Sequence, residues 1–144
     1  MSDDKNKALA LEFMERAFNQ GDLSVVDEQL AKDGVDHQEP AGTDFCAHMK
    51  DVVTSMRTAF PDLRFEIHKI LAEDDIVAFR STMTGTHQGP LNLGPLRGVP
   101  PTHRTISVPH MHFIRMKDGM AVDLWHIWDT LRLMQQLGLA PGPR

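Results

Sequence analysis

Lys117-Asp-Gly-Met-Ala-Val-Asp-Leu-Trp-His-Ile-Trp-Asp-Thr-Leu-Arg-Leu-Met-Gln-Gln-Leu-Gly138 reads as a hairpin turn, a strand ending in Trp125-His126-Ile127-Trp128-Asp129, and a short amphipathic closing helix. Two tryptophans, a histidine and an aspartate within five strand residues are an unusual choice for packing alone. Such a segment can line a ligand cavity with apolar surface and proton-transfer groups together.

Working upstream, the partner strand is 105–116, rich in Ile, Val, Phe and Thr. Lys117-Asp118-Gly119 suits a three-residue turn with Gly in the left-handed position. Met116 is then expected to pair with Met120, Ile114 with Val122, His112 with Leu124 and His110 with His126. Alternate residues share a face. One face therefore carries His110, His112, Ile114, Val122, Leu124, His126 and Trp128. The other carries Met111, Phe113, Arg115, Asp123, Trp125, Ile127 and Asp129. A slip of one residue would exchange them.

Further strands are expected near 64–72 and 75–85, preceded by three helices. In the helix at 5–19, Leu11, Met14, Ala17 and Phe18 recur at helical spacing, and Gly21 ends it. Asp22 can cap a short helix near 23–31 that buries Val26 and Leu30. The helix at 44–60 places Phe45, Met49, Val52, Val53, Met56 and Phe60 on one face, and Pro61 stops it. Helices followed by strands imply one α+β domain spanning 1–144, with helices on one face of an antiparallel sheet. The longest irregular stretch, Gln88 to Arg104, holds four prolines and three glycines and is not expected to pair as a ladder strand. It is either a stiffened connection or the rim of a cavity.

Composition narrows the class. The 144 residues are 41% hydrophobic and 24% charged, with no apolar run near the ~20 residues of a membrane span. No secretory signal is visible, and the single cysteine, Cys46, fits a reducing cytoplasm. A net charge of -5 without a basic stripe argues against nucleic acid. No glycine-rich nucleotide cradle occurs. The chain has no tyrosine, so no site can use a phenol.

Three histidines on one apolar face are the leading candidate site. Burial and mutual repulsion drive such imidazoles to the neutral form, in which one can act as a general base. Alternatively they simply bond one another and nearby backbone. His-x-His plus a third histidine offers three nitrogen ligands, but no supporting carboxylate is evident, so no metal is expected. His37, after the second helix, is placed to reach the cavity. Met49, Met56, Met111, Met116 and Met134 read as core filler, Cys46 as a small buried residue, and Glu15 and Arg16 as solvated.

Ala17–Leu23, Ala59–Leu63, Thr84–Gly89, Gly98–Thr102 and the closing Trp125–Gly138 segment, in that order, carry a resemblance. The chain resembles the SnoaL-like polyketide cyclases of the nuclear transport factor 2-like superfamily. The resemblance implies a cone-shaped α+β barrel, its N-terminal helices packed in the concave face of a curved mixed or antiparallel sheet. It also implies a homodimer formed through the outer sheet face. Cyclases of this family close a ring by intramolecular aldol condensation without metal or cofactor, using an aspartate on the last strand assisted by a histidine on its neighbour. Those positions fall on His126 and His112 here, so a histidine stands where the family has an aspartate. Candidate substrate contacts are His110, His37, Leu124, Trp128, Phe18 and Phe60. The absent tyrosines argue against steroid-isomerase chemistry of the kind known elsewhere in the superfamily. Two functions follow: a cofactor-free cyclase, isomerase or hydrolase acting on an apolar oxygenated molecule, or a non-catalytic binder of a small apolar ligand.

Overall fold

A computed structural model describes residues 2–142. The first helix, α1 (Asp3–Phe13), begins at Ser2, whose hydroxyl accepts from the Lys5 N–H. Its last turns widen into a π-helical segment, Met14–Asn19, before Gly21 turns away at φ 75°. Next is α2 (Ser24–Gln29), where the Asp22 carboxylate accepts from the Ser24 N–H. Arg16 is not a free surface charge: it bridges Glu12, Asp22 and Glu28 and ties the π segment to α2. The long helix α3 (Phe45–Ala59) is capped by Asp44 and ends just before Pro61.

Five strands form one sheet: β1 (Leu30–Asp36), β2 (Arg64–Glu73), β3 (Ile76–Thr86), β6 (Thr105–Lys117) and β7 (Met120–Trp128), in spatial order β1-β7-β6-β3-β2. The sheet is curved and mixed, and it does not close into a barrel. Every pairing is antiparallel except β1 with β7. The strand β1 corrects the expected helix over 23–31, because Leu30 leaves the helix in extended conformation and pairs with Ala121. A bulge between Leu30 and Val35 removes the alternation that marks a strand.

The segment 88–104 also departs from expectation. Leu91–Leu93 (β4) and Leu96–Val99 (β5) form a small hairpin of their own. The prolines at 90, 95, 100 and 101 all fall outside its strands, so the ladder survives. Leu91 and Leu96 are buried and the hairpin packs on α3. The closing helix α4 (Thr130–Gln136) is capped by Asp129 and buries Leu133 against the core.

The final hairpin differs from the expected register in two compensating ways. Its turn has two residues, Asp118 and Gly119, both at positive φ, so Lys117 pairs with Met120. A bulge at Arg115/Met116 then absorbs one residue of β7. Beyond it Ile114 faces Leu124, His112 faces His126 and His110 faces Trp128. The two offsets restore the parity, so the histidines share one face. Near the turn, Ala121 and Met116 point inward in place of Val122.

Candidate active site

The helices and the concave sheet face enclose a cavity of about 80 Å³. Its walls include Phe13, Met14 and Phe18 from the first helical stretch, Phe45, Met49, Val52 and Met56 from α3, and Ile114, Met116, Ala121 and Leu124 from the sheet. Ligand pockets typically hold about 300–1,000 Å³. The resting cavity is therefore tight, but four of its wall residues are methionines, the most compliant of core side chains. Met49, Met56 and Met116 are thus cavity wall as well as core.

Polar groups enter this apolar wall mainly from β1, β6 and β7. Asp36, at the end of β1, faces Leu124 across the parallel pairing and has a side chain only 2% exposed. Its Oδ1 accepts the Gln38 N–H at 3.0 Å, and its Oδ2 lies 3.3 Å from His126 Nε2. Burial alone pushes the Asp36 carboxyl up. The His126 and Gln38 hydrogen bonds, with the charges of His126 and His48, outweigh it and hold the group below the usual carboxylate range. On its other side, His126 Nδ1 lies 3.4 Å from His110 Nε2.

His110 stacks on His112 at 4.3 Å, and His112 stacks on Phe79 at 4.6 Å. Burial, reinforced by His126, pushes His110 down to about 3. Burial, reinforced by His110 and His126, holds His112 well below the ordinary value. Both rings are therefore neutral at neutral pH. In the neutral tautomer of His126 that donates Nε2–H to Asp36, Nδ1 carries the lone pair and can accept from Nε2–H of His110. The Nδ1 atoms of His110 and His112 are buried and have no partner among the described residues.

Asp36 and His48 went unrecognised in the sequence. His48, on α3, lies 3.8 Å from Asp36 Oδ2 and 2.7 Å from Glu39 Oε1 through the same Nε2. It lines the cavity and also an outer polar pocket of about 530 Å³ that includes Glu39, Asp51, Asn92 and Arg97. The β4–β5 hairpin is thus a rim of this outer pocket. No signal in Val35-Asp-His-Gln marks Asp36 as buried, because its burial depends on pairing with a strand about ninety residues away.

Of the expected contacts, His110, His112, His126, Leu124 and Phe18 line the cavity. Three do not. His37, the first residue after β1, sits on the outer face, opposite to Asp36, stacked on Trp125 at 4.5 Å and bonded to Asp123 Oδ1 at 2.8 Å. Phe60 lies beyond the end of α3, packed against His87 and Gly85. Trp128 stacks on His110 at 5.7 Å but is not part of the cavity wall. Cys46 is half-buried, and burial pushes its thiol up. Among the described residues, no three His, Cys, Asp or Glu side chains have the arrangement of a metal site. No helix among them is long and apolar enough to cross a membrane.

Helices cap a curved sheet around an apolar cavity, with a buried aspartate and three histidines among its walls. The sequence profile of the SnoaL-like polyketide cyclases matches residues 8–137, and the chain belongs to that family. AclR of Streptomyces galilaeus, provisionally described as a hydroxylase, is 33% identical; the match covers 99% of this chain and 87% of that one, with a TM-score of 0.83. IdmH of Streptomyces antibioticus, provisionally described as a polyketide cyclase, is 30% identical over 92% of this chain and 98% of that one, with a TM-score of 0.76. TsrD of Streptomyces laurentii, at 24% identity, shares the fold: its TM-score is 0.85 over 97% of this chain and 99% of that one. No curated protein matches the chain.

Proposed function

We propose that the protein is a cofactor-independent, cyclase-like enzyme that acts by acid/base catalysis on an apolar, oxygenated substrate. The reaction is ring closure of the intramolecular aldol type or a related isomerisation or hydrolysis. The observation that carries this reading is the Asp36–His126 contact. A histidine where the resemblance puts an aspartate would be a weak argument by itself, but here a buried carboxylate from β1 backs it.

The chemistry balances within the substrate. His126 Nδ1 takes a proton from carbon next to a carbonyl, and the electron pair left behind forms an enolate. Asp36 stabilises the imidazolium that results. The 3.4 Å contact between His126 and His110 is at the long limit of hydrogen bonding, and in this reading it gives way to the reacting carbon. His110, neutral, then offers Nε2–H to the enolate oxygen. His112 assists from the adjacent position as a second neutral imidazole. The enolate carbon attacks another carbonyl in the same molecule, a carbon–carbon bond forms, and the new alkoxide recovers the proton from His126.

Exchange of the α-protons of 2-tetralone in deuterated buffer, followed by proton NMR, tests the first step without knowledge of the natural substrate. Wild-type protein should accelerate exchange and His126→Ala should not. Equal rates for the two would remove His126 as base. A second reading, a non-catalytic holder of a small apolar ligand, draws support from the tight, largely apolar wall. It expects ligand binding with no exchange above background.

A further inference from the structure

Gln29, the last residue of α2, is 6% exposed and lines the cavity, yet the acid/base chain does not use it. Among the described residues no hydrogen bond engages its side-chain amide. The residue is buried as a whole, but its unbonded amide atoms keep accessible surface and are open to a partner. Because Gln29 lines the cavity, an occupant there is placed to supply that partner.

The strand pairing fixes where Gln29 stands relative to the reacting group. Leu30, its neighbour, pairs with Ala121 near the hairpin turn, whereas Asp36 pairs with Leu124 and reaches His126. From Ala121 to His126 is about 16 Å along an extended strand. Between these two ends the sheet wall is apolar: Leu30, Ile114, Met116 and Leu124. Among the described residues no lysine or arginine lines the cavity, so neither end suits a carboxylate.

We infer that Gln29 is the far anchor of the cavity, a substrate-positioning residue that selects an elongated apolar molecule carrying a neutral oxygen at each end. One oxygen, a carbonyl, is the function activated at His126. The other, a hydroxyl or carbonyl, bonds the Gln29 amide, which donates and accepts with equal ease. This rests on the reading of His126 as the reacting end. It adds a substrate class and a reason for the buried glutamine.

The test compares 2,6-dihydroxynaphthalene, with oxygens at opposite ends, and 2-naphthol, with one, by calorimetric titration. Wild-type protein should bind the diol about tenfold more tightly, the size of one added neutral hydrogen bond. Gln29→Leu should bind both alike, with 2-naphthol within about twofold of wild type by the same argument. Unchanged preference in Gln29→Leu, no preference in wild type, or no binding of either probe overturns the inference. An ordered water as the sole partner of Gln29 would appear as one of the first two. If Gln29→Leu does not fold, the Gln29 side-chain amide resonances of the wild type decide. They must shift with the diol and stay in place with 2-naphthol, and any other pattern refutes the assignment. Neither probe reacts, so the two readings fail separately. Loss of tetralone exchange with diol preference intact refutes only His126 as base, and the converse refutes only Gln29.

Discussion

Asp36 Oδ2 and His126 Nε2 are 3.3 Å apart, and they come from the two strands of the only parallel pairing among the described residues. The pair therefore exists only when β1 docks on β7, which makes the geometry of the proposed acid/base pair a readout of the fold. Asp36→Asn keeps the volume but removes the charge that fixes the His126 tautomer and stabilises its cation. Activity should fall by about 10²–10⁴-fold, the usual contribution of general acid/base catalysis, with KM little changed. Turnover within a factor of two of wild type would show that His126 works without its carboxylate.

Acid should destabilise the protein well before carboxylates protonate. In the folded chain His110 and His112 are held neutral, with His110 down at about 3 against an ordinary 6.5, whereas the unfolded chain protonates both near 6.5. The unfolded state thus binds more protons below pH 6.5, so stability is full above that value and declines as pH falls toward 3. Each histidine contributes a slope of about 1.4 kcal/mol per pH unit inside its window. Asp36, held below 3.8, adds a further loss only at the acid extreme. Urea denaturation at pH 7.5, 6 and 5 should show the decline, and His112→Phe should flatten it. A wild-type midpoint independent of pH over that range would refute the neutral-histidine description.

Much of this arrangement was legible in the sequence, and the rest was hidden for identifiable reasons. The helical period of Phe45, Met49, Val53 and Met56 announced α3, and alternation in β6 and β7 put His110, His112 and His126 on one face. That face assignment survived a wrong turn length only because the β7 bulge offset it by one residue. Asp36 was invisible for the opposite reason: β1 is interrupted by a bulge and its partner is remote, so neither periodicity nor local motif reports its burial. Gln29 and His48 share that difficulty. Each lies on a helix whose sequence says nothing of which polar residue faces a cavity.

Gly89 has a steric role that its loop position conceals. A Cβ there would collide with the Thr58 carbonyl oxygen near the end of α3, and the Gly89 N–H already bonds the Ala59 carbonyl. Backbone on both sides leaves no flexible side chain to yield. Gly89→Ala should lower stability by about 1–3 kcal/mol, as overpacking does. Gly94→Ala, in open space but at φ 54°, should lose less. Thermal melts in which Gly89→Ala equals wild type would mean that β4 can shift away from α3.

Metal content offers an independent check on the mechanism. His126 directs one ring nitrogen at Asp36 and the other at His110, so three histidine nitrogens do not converge on a common point. Elemental analysis of purified protein should find no stoichiometric zinc, iron or copper. One bound equivalent, lost in His110→Ala, would require the imidazoles to rearrange and would displace the cofactor-free reading.

Assembly is the last test, and the outer sheet face sets its terms. Met111, Phe113 and Ile127 are 57%, 51% and 73% exposed on neighbouring strands. Burying them would gain on the order of 1.5–3 kcal/mol for each side chain. A two-fold contact between copies uses the same patch twice and is the simplest way to cover it. Trp125 is a poor probe of this contact, because it already stacks under His37, and its replacement would disturb the monomer as well. Arg115 and Asp123 bond each other at 2.7 Å on the same face, and such half-exposed pairs add little. Ile127→Glu is the cleaner variant: it places a charge at the most exposed of the large apolar side chains, where little burial within the single chain is lost. Light scattering of wild type at micromolar concentration should give twice 16.2 kDa, and Ile127→Glu should give 16.2 kDa with an unchanged circular dichroism spectrum. A wild-type monomer would leave the patch to some other partner, and a dimeric Ile127→Glu would move the interface off this face.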